Sequence, residues 1–366
     1  MGKKRIGILT GGGDSPGLNA VIRGVAKTAI NQYGLSVTGF LDGFLGLVEQ
    51  RFVDLTFERV SGILTQGGTI LGTTNRANPF ACQIVEKGEK KTVDVSDRCV
   101  QLYHDLGLEA LICLGGDGTM GIAADFARKG LNVVGVPKTI DKDVAGTDIT
   151  FGFDSARAMA TDAIDRLHTT ADAHHRVMLV EVMGRNAGWL ALESGIAGGG
   201  DIILIPEIPY EIGHIVSAIR KRNLTGKRFS IVVVAEGAKP LGGDVTVKRV
   251  VEGSPEPMRL GGCSQLIANQ IEQESGIECR IAVLGHLQRG GTPTPYDRLL
   301  ATEFAVKAVE LVATGQFNKM VALRGNHMES VSLDEVVKGQ KTVPLDSPLL
   351  KVALAVGTSF GGDLSR

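Results

Sequence analysis

Three short segments combine residues that could handle phosphate and a proton. The first is Gly11-Gly12-Gly13-Asp14-Ser15-Pro16-Gly17. Glycines let backbone N–H groups face an anion, and a helix starting behind them favours negative charge. The same string also suits a tight strand-to-helix turn without a ligand. The second, Gly115-Gly116-Asp117-Gly118-Thr119, adds a carboxylate to such a turn. Mg²⁺ prefers one or two carboxylates completed by phosphate oxygens and water, so Asp117 is a candidate metal ligand. The plainer reading is an acid satisfying free amides at a helix N-terminus. The third is Pro137-Lys138-Thr139-Ile140-Asp141-Lys142-Asp143. One acid could take a proton from an attacking hydroxyl while the other helps to hold metal. Extended backbone would put Asp141 and Asp143 on one side. A solvated charged turn is the alternative.

Cations are spread along the chain. Arg76 lies in a loop rich in Gly, Thr and Asn. Arg176 opens an apolar run, and Arg185 follows Met183-Gly184 at the end of that run. Arg280 opens another run, which leads into Gly285-His286-Leu287-Gln288-Arg289-Gly290-Gly291. Guanidinium groups match phosphate oxygens in a bidentate way. A single Arg of this kind is usually a surface residue, but several beside glycines fit several phosphates better. His174, His175 and His286 lack metal-ligand spacing.

The elements that must position these groups follow a repeating grammar. Ile6 to Leu9 reads as a buried strand. Leu18, Val21, Ile22, Val25, Ala26, Ala29 and Ile30 then recur with helical spacing, and Leu35 to Phe40 reads as a second strand. The pattern returns as strand Leu108 to Leu114, helix Thr119 to Arg128 and strand Leu131 to Val136. Further on come a helix carrying Phe153, Ala156, Ala160 and Ile164, and strands over Arg176 to Val182, Ile202 to Ile205 and Ile231 to Val234. This alternation implies an α/β fold with parallel sheets covered on both faces by helices. Ligands in such folds bind outside the carboxyl ends of the strands, where the glycine clusters fall. Residues 239–262 read as a surface excursion, and no linker divides the chain.

Composition narrows the function classes. The 366 residues are 43% hydrophobic, enough for a large core and two domains. Lys+Arg total 39 and Asp+Glu 40, for a formal net charge of −1, which argues against nucleic acid as the main partner. Five cysteines without a CxxC pair suggest reduced, buried thiols in a cytoplasmic protein. Met1 to Arg5 runs straight into a strand, with neither a signal peptide nor an apolar run of membrane-spanning length.

Taken together, GGGDSPGLNAVIRG, GGTILGTTNR, GGDGT, PKTIDKD, VEVMGRNAG, VVAEG and VLGHLQRGGTPTPYDR resemble the phosphofructokinase family in order and spacing, over roughly residues 5 to 300. The resemblance implies two interleaved three-layer α/β/α domains with mainly parallel sheets and the active site in the cleft between them. The larger, 1–152 with 288–338, would bind the phosphoryl donor; the smaller, 153–287 with 339–366, would bind fructose 6-phosphate. It implies ATP as co-substrate and Mg²⁺ as cofactor. Gly13, Arg76, Gly115, Gly116, Gly118, Thr119 and Lys138 would form the donor site, and Asp117 would hold the metal. Asp141 would be the general base on the sugar 1-hydroxyl. Thr139 would lie beside the transferring group, Asp143 would support metal and geometry, and Arg185 would steady the transition state. Met183, Gly184, Glu236, His286 and Arg289 would line the sugar pocket. Arg176 and Arg280 would reach into a neighbouring copy's pocket in a homotetramer or dimer. Arg23, Lys27, Arg51, Lys227 and Arg228 resemble parts of an effector-phosphate pocket, with His168 where an Arg is usual.

Two positions bear on the donor. Family members using ATP resemble GGDG with PGTID, whereas pyrophosphate users carry an added acid in the first motif and Lys in the second. This chain combines Gly118 with Lys138. Gly118 leaves space and no repelling charge for a nucleotide α-phosphate, which favours ATP over pyrophosphate. NAD kinases and lipid kinases share GGDGT but lack the downstream TID, MGR and GHLQRGG strings. A nicotinamide dehydrogenase would need a clearer GxGxxG with an acid about 20 residues on. A non-catalytic sugar-phosphate or nucleotide sensor on the same fold is opposed by the intact Asp117, Asp141 and Asp143.

Overall fold

The computed structural model describes residues 4–86, 89–250 and 258–363. Part of the expected excursion, 251–257, and the termini at 1–3 and 364–366 lie outside the described residues. In chain order the elements are β1 (Arg5–Thr10), α1 (Leu18–Tyr33), β2 (Ser36–Phe40), α2 (Phe44–Val48), β3 (Phe52–Asp54), β4 (Cys82–Glu86), β5 (Glu89–Val93), α3 (Ser96–Asp105), β6 (Leu108–Gly115), α4 (Asp117–Arg128), β7 (Val133–Thr139), β8 (Phe151–Gly152), α5 (Phe153–His174), β9 (Val177–Val182), α6 (Trp189–Ala197), β10 (Ile202–Leu204), α7 (Ile212–Leu224), β11 (Ser230–Ala235), β12 (Val247–Val250), β13 (Met258–Leu260), α8 (Cys263–Ser275), β14 (Cys279–Val283), α9 (Pro295–Ala313), β15 (Lys319–Arg324), β16 (His327–Ser332), α10 (Leu333–Val336) and α11 (Pro348–Ala355).

Two mainly parallel sheets organise the molecule. Among the described residues the first runs β16-β15-β7-β6-β1-β2-β3, with β8 also pairing on β7; only its outer pairs, β2–β3 and β15–β16, are antiparallel. The second runs β10-β11-β9-β14, parallel throughout. Strands covered on both faces need apolar residues at every position, and β6 shows how they are used. Ala110, Ile112 and Leu114 face a core shared with Val25 and Phe304, whereas Leu111 and Cys113 face another with Met120 and Phe126. In the second sheet Ile231, Val233 and Ala235 of β11 pack toward α5 and α6, while Val232 and Val234 pack toward α7 and α8. The α/β expectation is met, and no helix among the described residues is long and apolar enough to cross a membrane.

Several boundaries differ from the sequence reading. The strand expected over Leu131 to Val136 runs instead to Thr139. Pro137 pairs with Gly115 and Lys138 with Phe151, so neighbours on both sides carry the strand past the proline. Arg176 lies just before β9 rather than in it. Helix α4 begins at Asp117, two residues early, with the acid in its favoured first turn. The excursion contains an exposed strand, β12, paired with β13. Past β16 the chain returns to the first site motifs. Gln340 bridges Val144, Ser359 adds to the second sheet beside Ile202, and Leu350 and Phe360 enter that sheet's core.

Candidate active site

The first glycine turn is held open by its neighbours. Gly11 N–H donates to Leu114 O at 2.8 Å and Gly12 N–H to Thr74 O at 3.2 Å. The Thr73 hydroxyl donates to the carbonyls of Thr10 and Gly12. Gly13 lies against Arg289: a Cβ there would stand 1.9 Å from an Arg289 terminal nitrogen, so the guanidinium would have to shift. Lys138 Nζ donates to Gly13 O at 2.5 Å. The turn therefore meets one cation from β7 and another from the segment after β14. Arg76 is exposed and, with Thr74, Asn78 and Cys82, lines a cavity of about 280 Å³ beside the turn.

The second glycine turn abuts the first. The Thr119 side chain fills the space where Cβ atoms on Gly11 and Gly115 would lie, 2.6 and 2.2 Å away. Gly118 faces open space, with nothing within 4 Å of an added Cβ. Both Asp117 carboxylate oxygens are buried without a hydrogen-bond partner. The Gln340 amide approaches near enough to favour the charged form without completing a bond of good geometry. Burial, then the charge of Asp143, pushes the Asp117 carboxyl up to about 7.

The acidic turn completes the cluster. Asp141 N–H donates to the Thr139 hydroxyl at 3.0 Å, and Thr150 fixes the Thr139 carbonyl at 2.7 Å. Lys142 between Asp141 and Asp143 takes φ 57°, so the backbone joining the two acids is not the extended run that would put both on one side. Asp141 keeps one buried oxygen without a partner. Burial, then Asp143 and more weakly Glu236, raises its carboxyl to about 7 against the opposing pull of Arg289 and Lys138. Lys138 is itself pushed down to about 8 by burial and then Arg289. Asp117 and Asp141 thus share the field of one carboxylate, Asp143.

The second sheet supplies the opposite wall. At the carboxyl end of β9, Gly184 takes φ 132°, a conformation open to glycine. Glu236 N–H donates to Val182 O at 2.9 Å, which sets the Glu236 segment beside it. Arg289 Nε points at the Met183 sulfur at 3.4 Å, tying this wall to the first glycine turn. His286 is exposed on a short 3₁₀ turn spanning Gly285–Arg289. Arg185 reaches outward, donating to Met258 O of β13 at 2.9 Å. Arg176 and Arg280 are not brought here. They lie at the amino ends of β9 and β14, where both ion-pair with Glu278. Of the effector-like residues, Arg51 pairs with Asp42 and Glu49, and the His168 ring meets Gly198 O at 2.6 Å. Sequence reasoning missed Gln340, which no motif or periodicity marks.

A sequence profile of the family described as Phosphofructokinase matches residues 5–312. The chain belongs to the phosphofructokinase family. This phosphofructokinase-family chain is 53% identical over 359 residues to "ATP-dependent 6-phosphofructokinase 2" of Clostridium perfringens, with 98% of each chain covered. It is 51% identical over 358 residues to the "ATP-dependent 6-phosphofructokinase" of Spirochaeta thermophila, again covering 98% of each. Among solved structures, Pichia pastoris phosphofructokinase in the T-state superposes with a TM-score of 0.78 at 33% identity. That match covers 92% of this chain and 36% of the yeast chain, so the present chain spans just over a third of its length.

Proposed function

We propose that the chain is an ATP-dependent 6-phosphofructokinase, transferring the γ-phosphoryl group of ATP to the 1-hydroxyl of fructose 6-phosphate in glycolysis. The observation that carries this is a pair of incompletely bonded carboxylates, Asp117 and Asp141, in the field of Asp143, with Lys138 and Arg289 meeting at the first glycine turn and acting on Asp141. Full-length relatives named ATP-dependent 6-phosphofructokinase support it. The open space at Gly118 supports a nucleotide over pyrophosphate, since an acid there would add bulk and charge beside an α-phosphate.

Phosphoryl transfer needs alignment and charge stabilisation more than covalent help. Asp141 accepts the hydroxyl proton as O1 bonds to Pγ and the Pγ–O bond to ADP breaks. Thr139 fixes the Asp141 backbone beside the transferring group, and Lys138 and Arg289 oppose the negative charge that develops. Arg185 would have to leave Met258 O to join them. The unpartnered oxygens of Asp117, near Asp143, fit Mg²⁺, which takes few protein ligands and completes its shell with phosphate and water. Bound there, it would neutralise charge on the donor phosphates. The first-sheet unit would carry the donor, through Gly13, Arg76, Gly115, Gly116, Gly118 and Thr119. The second would carry the sugar through Met183, Gly184, Glu236 and His286. The five unpaired thiols suit a reducing compartment, and we place the protein in the cytoplasm.

Steady-state assays with ATP and pyrophosphate separate the readings. We expect turnover with ATP. Turnover with pyrophosphate alone overturns the donor, and fructose 6-phosphate binding without turnover overturns the enzyme. Arg176 and Arg280, far from this cleft in their own chain, would serve a neighbouring copy in a homo-oligomer. Charge-assisted phosphate contacts are worth about 1.5–3 kcal/mol, so Arg280→Ala should raise the fructose 6-phosphate KM about 10- to 100-fold with little change in kcat. An unchanged KM, or a protein monomeric by light scattering at assay concentration, removes that role.

A further inference from the structure

Lys142 stands between the two acids of the catalytic turn, and its ammonium is held by α6. Its backbone takes φ 57°, a region that bulky side chains seldom occupy and that costs free energy unless the surroundings enforce it. The surroundings do so here. Lys142 Nζ donates to Glu193 Oε1 of α6 at 2.6 Å, and both side chains are largely buried, at 17% and 13% exposure. The same ammonium lies 5.1 Å from the Phe153 ring centroid and 4.8 Å from that of Trp189. A buried cation held by a carboxylate and two aromatic faces is fixed in position far more firmly than a surface pair.

The anchor is itself braced. Arg157 of α5 donates to Glu193 Oε2 at 2.6 Å and also pairs with Asp154, which accepts from the Thr294 hydroxyl at 2.6 Å. From the other side, Lys341 N–H donates to Asp143 O at 2.8 Å while its carbonyl accepts from the Trp189 indole at 3.0 Å. The turn is thus gripped at Lys142 by the second-sheet helices and at Asp143 by the returning chain.

We propose that Lys142, with Glu193 as its anchor, is a positioning residue that holds the acidic turn in its left-handed conformation and so aims Asp141 at the acceptor hydroxyl. The proposal rests on the kinase reading given above. Releasing the anchor lets the backbone at 142 relax toward ordinary φ and swings Asp141 off line, and a displacement near 1 Å costs about 10²-fold in such reactions.

The test uses the full chain. Lys142→Met and Glu193→Gln should each lower kcat about 10- to 100-fold, with the fructose 6-phosphate KM within about threefold of wild type. Lys142→Asn should recover most of that loss, because Asn accepts the left-handed region without an anchor. The single tryptophan, Trp189, reports the contact independently of activity: its emission should shift in Glu193→Gln as the ammonium leaves the indole. Unchanged kcat in both anchor variants overturns the positioning role, as does an Asn variant no better than Met. An unshifted emission in Glu193→Gln overturns the anchor. An inactive wild type with both donors instead removes the kinase reading and leaves the emission result to judge the anchor. Should Lys142→Met fail to fold, Glu193→Gln alone decides.

Discussion

Asp141→Asn should lower kcat about 10²–10⁴-fold, the range for losing a general base, while the fructose 6-phosphate KM stays within about threefold. The exchange keeps the shape of a partly buried side chain and removes only its charge and basicity. In wild type, the carboxylate lies in the cleft with an oxygen that nothing in the protein satisfies. Its carboxyl is raised to about 7, chiefly by burial, so it is basic enough to accept a proton near neutral pH. Asn can still accept a hydrogen bond from the hydroxyl, which preserves sugar affinity, but it cannot take the proton. Stopped-flow and steady-state rates with ATP saturating would measure the loss. A variant within about tenfold of wild type would remove Asp141 from the proposed chemistry.

The same burial predicts an unusual pH response of stability in the ligand-free protein. Asp117 and Asp141 both sit near pH 7 when folded, against an ordinary carboxylate value of 3.8. Between about pH 4 and 7 the folded chain therefore binds more protons than the unfolded one, and stability rises as pH falls through that window. Each group contributes at most about 4 kcal/mol, at 1.36 kcal/mol per unit, and less where solvent reaches Asp117. Thermal melts in EDTA should show wild type gaining on the Asp117→Asn, Asp141→Asn double variant as pH is lowered from 8 to 5. At pH 8 the double variant should be the more stable of the two. This is the price of an active centre kept charged before its ligands arrive. Parallel melting curves for the two proteins across that range would show that neither carboxylate is raised.

What could be read in advance follows from distance along the chain. Strands β6, β9 and β11 announced themselves as continuous apolar runs because both their faces are covered, and the glycine turns sit at their ends as that architecture requires. Asp117, Asp141 and Lys138 were legible because each lies within a few residues of a glycine turn or strand end. The geometry of the acidic turn was not. A Lys in the left-handed region has no local signal; Glu193, Trp189 and Phe153 hold it there from elements read only as core helices. Gln340 and Lys341 were invisible for the same reason, since their partners are some 200 residues earlier and follow no period. Arg176 and Arg280 were legible as residues opening their strands, at the end away from Met183, but Glu278, which pairs with both there, carried no signal.

The returning segment also sets when the centre can form. Lys341 clasps Asp143, Gln340 stands beside Asp117, and Ser359 zips onto Ile202. A polypeptide still emerging from the ribosome can build both glycine turns and the acidic loop long before these residues are translated. Until they join, Asp117 and Asp143 lack the segment that meets them both in the folded chain.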